Sequence, residues 1–284
     1  MKMNSLYSIV KIECVKYWSK PRTYIGFIAI TTIVLLIQLA LYTDGKNYWD
    51  FLTQSLSQSF EIEGMEFNGN MVCFIILQTL IVQMPLMVAL VSGDIVSGEV
   101  QAGTIRSLLT KPVSRTKILI SKFIAAEIYT LALIIWLGVL AYFLSLFLFG
   151  KGDVVVLKSD ALTVIRSADV GIRFLFAFFM AFLSLSVINC FAFMLSTFSN
   201  NSITPIVISM SVVILFTIIG TFDIPLFESI KPYLFTTHTI VWRNFFDNPI
   251  DWELIISSTC FLIVHIVIFM GASIYYFNKK DFLQ

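Results

Sequence analysis

Six long apolar runs, separated by polar segments, constrain this 284-residue chain more than any other feature. A helix that crosses a bilayer needs about 20 mostly apolar residues. We therefore predict six membrane-spanning helices, over residues 24–42, 71–91, 118–149, 174–195, 203–220 and 254–277. The third run is longer than one bilayer thickness, so it is expected to tilt or to project beyond the membrane.

Composition excludes a soluble globular protein. Hydrophobic residues make up 58% of the chain, charged residues 13%, and the mean hydropathy is +0.88. Soluble domains carry about 25% charged residues, so this chain has too little polarity to cover a water-exposed surface. The predicted fold class is an all-α integral membrane protein, with residues 1–284 forming a single transmembrane domain.

The N-terminal segment, residues 1–22, is basic apart from Glu13 and lacks the features of a cleaved signal peptide. Its apolar arc predicts an interfacial helix lying on the membrane surface, with a cytoplasmic extension of the first span as the alternative. Pro21 favours a break between this helix and the first span. The predicted arc comprises Met3, Leu6, Tyr7, Val10, Cys14, Tyr17 and Trp18.

The distribution of basic residues predicts the orientation. Lysine and arginine accumulate on the cytoplasmic side of membrane proteins. If both termini are cytoplasmic, twelve basic residues lie inside and seven outside. Only the third loop, 150–173, runs against the pattern, with four basic residues outside. We expect a multi-pass protein of a cell membrane, the bacterial plasma membrane.

Prolines predict irregular structure at three places. Pro85 in the second span and Pro205 in the fifth should kink or start their helices. The loop 221–253 is apolar, aromatic and interrupted by Pro225 and Pro232. We predict a partly re-entrant helical loop there, with a surface helix carrying interfacial aromatic residues as an equal alternative.

The sequence contains no pattern for catalysis, metal binding or nucleotide binding. The four cysteines are far apart and predicted to be free thiols, and no GxxxxGK[ST] loop is present. The chain is not expected to be an enzyme, to hold a cofactor or metal, or to bind nucleic acid. Four polar residues within the spans are candidates for a transport pathway or for helix packing, with packing favoured: Gln83, Glu127, Asn189 and His265.

The polar segment 92–122 joins the second and third spans and is rich in helix formers. Asp94 to Leu109 can form a short helix, Pro112 stops it, and Ser114 is a suitable N-cap for the next helix. The plain alternative is an ordinary charged loop. Either way, the orientation predicts that this segment lies on the cytoplasmic face.

The same segment resembles the signature of the type-2 ATP-binding cassette (ABC) exporter permeases, roughly E-x3-GT-x3-LL-x2-P-x-SR-x2-IL-x2-K. The matching residues are Glu99, Gly103, Thr104, Leu108, Leu109, Pro112, Ser114, Arg115, Ile118, Leu119 and Lys122. The interfacial helix, the six spans and the inserted loop before the sixth span also resemble that family's plan.

The resemblance implies that the chain is the permease half of an ATP-driven exporter for a peptide, lipid, drug or ion. Its partners would be a separate ATPase subunit, which holds ATP and Mg²⁺, and a second copy or a related permease. Residues 94–109 would form a coupling helix that the ATPase moves between two packing states. The implied ATPase contacts are Glu99, Gly103, Thr104, Arg106, Leu108, Leu109, Pro112 and Arg115.

Three other functions remain open. A secondary-transporter subunit predicts broken helices and buried ionisable residues at mid-membrane. His265 is the residue that suggests this function. An intramembrane enzyme predicts a nucleophile–base pair or metal ligands within the spans, and the sequence shows none. A membrane sensing or immunity complex would use the same architecture as an exporter.

Overall fold

The structure, a computed structural model, describes residues 6–53, 67–110, 112–157, 162–222 and 224–281. Within these ranges the fold is nearly all-α, and five helices are long and apolar enough to cross a membrane. A bent helix pair makes a sixth when it is counted as one span. This set of helices indicates a multi-pass membrane protein.

The chain begins with two helices separated by a short break. Helix α1 (Leu6–Trp18) is followed by α2 (Pro21–Thr53), so Pro21 starts a helix as predicted. Helix α2 continues beyond the predicted first span and is kinked at Asp44 (φ −133°, ψ 17°). The rest of the predicted first loop, 54–66, lies outside the described residues.

The second apolar run forms two helices rather than one. Helix α3 (Gly69–Leu80) is followed after a short break by helix α4 (Met84–Ser92), and the stretch Met84–Gln101 that α4 begins is bent by 49° relative to α3. Pro85 lies in the first turn of α4 and removes one helical N–H, which explains the bend that its position predicts.

The third apolar run is helical over 35 residues, Arg115–Phe149, longer than a straight span requires. It consists of α7 (Arg115–Gly138), a π-helical turn (Val139–Leu144) and α8 (Ser145–Phe149). Ser114 caps α7 as predicted, its hydroxyl accepting a hydrogen bond from the amide of Lys117.

The described residues are nearly all-α, as predicted, but the third loop also contains a short hairpin that the sequence did not predict. Strand β1 (Val154–Leu157) pairs antiparallel with β2 (Leu162–Ile165), with Val154 opposite Ile165. Three consecutive valines favour extended structure, and Val154 and Val156 pack into the core.

The last third contains three long helices and a compact loop. Helix α9 (Ser167–Phe198) starts seven residues before the predicted fourth span, and α10 (Ile203–Thr221) and α13 (Trp252–Lys279) match the fifth and sixth. Pro205 lies in the first turn of α10. The loop between α10 and α13 forms short helical turns: α11 (Pro225–Glu228), a 3₁₀ turn (Lys231–Tyr233), α12 (Phe235–Thr239) and a second 3₁₀ turn (Val241–Phe246).

Successive long helices run in opposite directions, which defines two ends of the bundle. At one end, Arg115 donates hydrogen bonds to the carbonyls of Asn278 and Lys280, and Lys280 Nζ donates to those of Thr197 and Ser199. This end, called the α1 end, therefore gathers the start of α7, the turn before α10 and the end of α13. At the hairpin end, the amide of Gly69 donates to the carbonyl of Gly150.

Helix α9 forms the centre of the bundle. It contacts α4, α7, α10, α13 and the second 3₁₀ turn. Aromatic side chains from that turn fill the space above it: Trp242 and Phe246 are almost completely buried and contact Phe74 and Phe174. The second half of the loop, from Phe235 to Phe246, is thus packed against the bundle, whereas α11 and the first 3₁₀ turn bury no residue.

Candidate functional site

The segment that connects α4 to α7 forms two short helices at the α1 end. Helix α5 (Ser97–Gln101) and helix α6 (Thr104–Leu109) replace the single helix predicted over residues 94–109. The break is at Gly103, whose φ of 69° is left-handed and suits glycine. The predicted helix is divided because Gly103 adopts a left-handed conformation that residues with a Cβ rarely adopt.

The implied partner-contact residues divide into exposed and internal groups. Gly103, Thr104, Arg106 and Pro112 are exposed, and Leu108 is half-buried. Leu109 ends α6, but its side chain lies outside the described residues. Ile105 is buried and fixes α6 to the bundle. The exposed face of α5–α6, defined here by Gln101, Gly103, Thr104, Arg106 and Ser107, is called the α5–α6 face.

Glu99 and Arg115 are directed into the chain instead. The Glu99 side chain is only 14% exposed. Its Oε1 forms ion pairs with Nζ of Lys122 at 2.8 Å and Nζ of Lys16 at 3.1 Å. Arg115 is half-buried and bonds the end of α13 as described above. Both side chains therefore bind elements of the bundle, and their implied contact with a partner stays a prediction.

A buried ion-pair network holds α1 against α5 and α7. The Lys122 side chain is 0% exposed and its Nζ lies 2.8 Å from Oε2 of Glu13, which is 1% exposed. Lys16 bridges Glu13 at 2.9 Å and Glu99 at 3.1 Å. Two cations and two carboxylates thus alternate across three helices, and the network, called the α1–α5–α7 network, has no net charge.

The network changes the ionisation of Lys16. Burial of its ammonium group acts to lower the pKa of Lys16. The opposing effect is larger, because Lys16 forms hydrogen bonds with Glu13 and Glu99 and is attracted by both negative charges. The pKa of Lys16 is therefore raised above its ordinary value. Lys16 is therefore held charged between two carboxylates.

A second set of contacts fixes the start of the segment. Asp94 forms ion pairs with Lys20 at 3.0 Å and with Arg22 at 3.1 Å. Lys20 and Arg22 lie at the junction of α1 and α2. The hydroxyl of Ser196 accepts hydrogen bonds from the amides of Val96 and Ser97. Residues 94–101 are thus attached to α1, α2 and α9 at once.

The packing of α1 differs from the predicted arc. Its buried row is Ile9, Glu13 and Tyr17, whereas Leu6 and Tyr7 of the predicted arc are exposed. The predicted apolar arc did not include Glu13, whose buried carboxylate pairs with Lys122. Glu13 is a member of the network that the sequence reasoning did not select. Its being the single acid in a basic segment is the signal that could have identified it.

Two of the four polar candidates within the spans meet in the bundle. Glu127 on α7 accepts hydrogen bonds from Asn189 Nδ2 and Ser186 Oγ, each at 2.7 Å. Asn189 also accepts one from Ser92 at the end of α4. These four residues connect α4, α7 and α9.

The other two candidates lie apart. Gln83 is exposed at the α3–α4 bend. His265 on α13 donates from Nδ1 to the carbonyl of Phe261 on its own helix, at 3.0 Å, with its ring near Phe235. The structure does not bring Gln83 or His265 to the Glu127 cluster.

One serine–histidine pair occurs at the edge of the loop 221–253. His238 Nδ1 lies 2.9 Å from Ser258 Oγ, and Nε2 lies 3.0 Å from the carbonyl of Pro232. A carbonyl only accepts, so Nε2 donates and Nδ1 of the neutral ring accepts from the serine hydroxyl. Ser258 is fully buried, so the pair joins α12 to α13 and presents no open nucleophile.

Among the described residues, no group of three or more His, Cys, Asp or Glu side chains could hold a metal ion. The four cysteines are free thiols, as predicted.

The fold and these sites define a helical, multi-pass membrane protein with a braced surface segment at one end of the bundle. The chain belongs to the family described as "Protein of unknown function (DUF2705)", whose model matches residues 27–283. The match includes the α5–α6 face and every long helix apart from the first residues of α2. No curated protein matches the chain.

Proposed function

We propose that the chain is the permease subunit of an ATP-driven transporter of the type-2 ABC exporter class. The observation that carries the proposal is the α5–α6 face, which is exposed on its outer side and braced on its inner side. A segment that receives a push must contact a partner and be rigidly connected to the spans that move. The residues that match the permease signature provide both the exposed surface and the connection to the spans.

In this proposal the signature residues have two different tasks. Gly103, Thr104 and Arg106 form the surface that a separate ATPase subunit contacts, with ATP and Mg²⁺ held by that subunit. Glu99 and Lys122 transmit the displacement, because their ion pair joins α5 to α7 and, through Glu13, to α1. A push on α5–α6 then moves the start of the third span as a rigid body.

The proposed orientation puts the α1 end in the cytoplasm and the hairpin end outside. The excess of lysine and arginine at the α1 end supports this orientation. With α3 and α4 counted as one span, the chain crosses the membrane six times and both ends of the chain are cytoplasmic. The loop 221–253 then lies in the outer leaflet, where the buried aromatic residues of its second half contact protein, as irregular backbone at that depth requires.

The test is co-purification with an ATPase subunit and measurement of ATP turnover in lipid vesicles. Arg106→Glu reverses a charge on the α5–α6 face, and Lys151→Glu makes the same change at an exposed position of the hairpin end. We expect Arg106→Glu to reduce ATPase binding at least tenfold and Lys151→Glu to leave it unchanged. Equal ATPase binding by both variants would contradict the proposed docking surface.

A second experiment separates contact from transmission. Glu99→Gln removes the charge opposite Lys122 but leaves the α5–α6 face exposed. We expect the variant to retain ATPase binding, to lose transport, and to unfold at a lower temperature than the wild type. Loss of binding without loss of stability would instead identify Glu99 as a contact residue.

One observation favours a second candidate, a cation-coupled secondary transporter. Glu127 is a carboxyl group within a span, bonded to Asn189 and Ser186 and to no cation among the described residues. Such groups mark ion pathways in transporters. Uptake or efflux that is driven by an ion gradient without an ATPase, and is abolished by Glu127→Gln, would support this function over the first.

A further inference from the structure

Two glutamine side chains project from the middle of the bent α3–α4 segment. Gln78 and Gln83 are exposed, and neither side chain has a hydrogen-bond partner among the residues that the structure describes. Gln78 lies 9 residues after Gly69, and Gln83 lies 9 residues before Ser92. At 1.5 Å per residue, each is about 14 Å from the nearer end of the segment. If the segment spans the membrane, both amides lie near the centre of a hydrocarbon layer about 30 Å thick.

An amide at this depth is unstable without a partner. Transfer of an unpaired amide from water into an apolar medium costs roughly 2–7 kcal/mol, and two such groups occur on one segment. The cost disappears when each amide donates to and accepts from another polar group. The outward position of both side chains therefore indicates that something other than lipid covers them.

The backbone at the same level is also irregular. The amide of Gln83 donates to the carbonyl of Leu80, three residues back, and Pro85 provides no N–H for the carbonyl of Ile81. Irregular backbone within a membrane is tolerated against protein or a water-filled cavity, but not against lipid. The bend and the two amides thus point to the same conclusion.

The exposed residues of the bend form one continuous stripe. Their spacing of one, three and four residues keeps them on a single side of the two helices. The stripe contains Gln78, Thr79, Val82, Gln83 and Leu86, all exposed. It is called the bend stripe, and α2 and α10 both contact α4.

Other outer faces at this depth are suited to lipid. The middle of α13 exposes Ile263, Val264, Val267 and Ile268. The middle of α7 exposes Leu131 and Ile135. Neither set contains an amide, so the bend stripe differs chemically from the surfaces that hydrocarbon would cover.

We infer that the bend stripe is the contact surface for a second copy of this chain, with the Gln78 and Gln83 amides hydrogen-bonded across the interface. A glutamine amide both donates and accepts, so it is self-complementary when a two-fold axis brings the same surface of two copies together. The stripe carries no charge, so two copies meet without repulsion. The inference rests on the proposed function for its membrane setting and for the pairing of two permeases.

The test is cysteine cross-linking in native membranes, which requires no ATPase. The background is Cys14→Ala with Cys260→Ala, because Cys73 and Cys190 are buried. Gln78→Cys and Gln83→Cys are compared with Val267→Cys, an exposed position at similar depth on α13. We expect oxidation to give several-fold more covalent dimer from the two bend positions than from Val267→Cys.

Three outcomes would overturn the inference. The first is no dimer from either bend position, and the second is equal dimer from Val267→Cys. The third is modification of Gln83→Cys by a water-soluble maleimide without dimer formation, because the stripe would then line an aqueous path. The proposed function is tested separately. Cross-linking without any ATPase binding would support the bend stripe as a dimer contact and contradict the assignment to an ABC transporter. ATPase binding without cross-linking would support that assignment and contradict the dimer contact.

A second measurement does not depend on cysteine geometry. The double variant Gln78→Leu/Gln83→Leu removes both amides but remains apolar enough to insert. Interhelical hydrogen bonds in membranes contribute about 0.6–2 kcal/mol each, so the association constant in vesicles should fall about tenfold or more. Gln83→Asn retains an amide and should dimerise within about threefold of the wild type. An unchanged association constant for the double leucine variant would contradict the inference.

Discussion

Lys122 and Glu13 form an ion pair from which solvent is excluded on both sides, with 0% and 1% of the two side chains exposed and 2.8 Å between Nζ and Oε2. The partners are separated by 109 positions in the chain. Each buried charge is costly alone and tolerable only beside the other. The pair therefore makes α1 an integral part of the bundle.

Removing the lysine should be strongly destabilising. Lys122→Met leaves two carboxylates, Glu13 and Glu99, with Lys16 as the cation that faces both. Breaking one side of a buried ion pair costs about 3–5 kcal/mol, so the thermal unfolding temperature in detergent should fall sharply. Adding Glu13→Gln should recover part of the loss, because the most buried carboxylate is then neutral. The matched control is Lys117→Met at an exposed position of α7; equal stability of the two methionine variants would contradict the assignment.

The contact between α2 and α7 depends on a glycine. A Cβ at Gly26 would lie 2.7 Å from the hydroxyl of Tyr129 and 3.2 Å from Cδ2 of Leu133. Gly26→Ala should therefore destabilise the protein by about 1–3 kcal/mol through overpacking. Tyr129 is buried and its hydroxyl has no hydrogen-bond partner within the described part of the chain, so Tyr129→Phe should be neutral or stabilising. The double variant should regain most of the lost stability in a thermal melt, and a loss equal to that of Gly26→Ala alone would show that the hydroxyl is not the obstacle.

Much of the helix arrangement follows from local sequence. Each predicted apolar run coincides with a helix or a helix pair, because about 20 apolar residues in sequence leave few alternatives. The breaks at Pro21 and near Pro85 were also predicted, since proline acts on its own neighbourhood. The hairpin was not, because Val154–Leu157 and Leu162–Ile165 are only four residues long and their pairing joins residues that are not adjacent in the sequence.

The candidate site was only half predictable for a different reason. Resemblance selected Glu99 and Lys122 because both belong to one linear motif, but it carried no information on which groups each side chain meets. Glu13 pairs with Lys122 only after α1 packs on α7, and no periodicity in the sequence encodes that contact. In the same way, Glu127 and Asn189 were selected as separate polar residues; their hydrogen bond depends on the packing of α7 against α9.

The Glu127 cluster should tolerate an amide but not an apolar side chain. Glu127→Leu leaves the donors of Asn189 and Ser186 without their acceptor, at a cost of about 1–3 kcal/mol for each unsatisfied buried group. Glu127→Gln can still accept from Asn189 through its carbonyl and donate to the Ser186 hydroxyl, which also accepts. We therefore expect the unfolding temperature to fall in the order wild type, Glu127→Gln, Glu127→Leu. A leucine variant as stable as the glutamine variant would show that the cluster does not hold α7 to α9.

Asn68 joins the start of α3 to the hairpin, and its two functions can be separated. Its Oδ1 accepts from the amides of Asn70 and Met71 as an N-cap, and its Nδ2 donates to the carbonyl of Asp153 at 2.8 Å. Asn68→Asp retains the acceptor and loses the donor, so amide exchange should increase in the hairpin but not in the first turn of α3. Asn68→Ala loses both, which should expose Asn70 and Met71 to exchange as well and cost about 0.5–2 kcal/mol for the cap alone. Hydrogen–deuterium exchange in detergent distinguishes the two patterns, and identical exchange of α3 in both variants would mean that backbone packing, rather than the asparagine side chain, starts the helix.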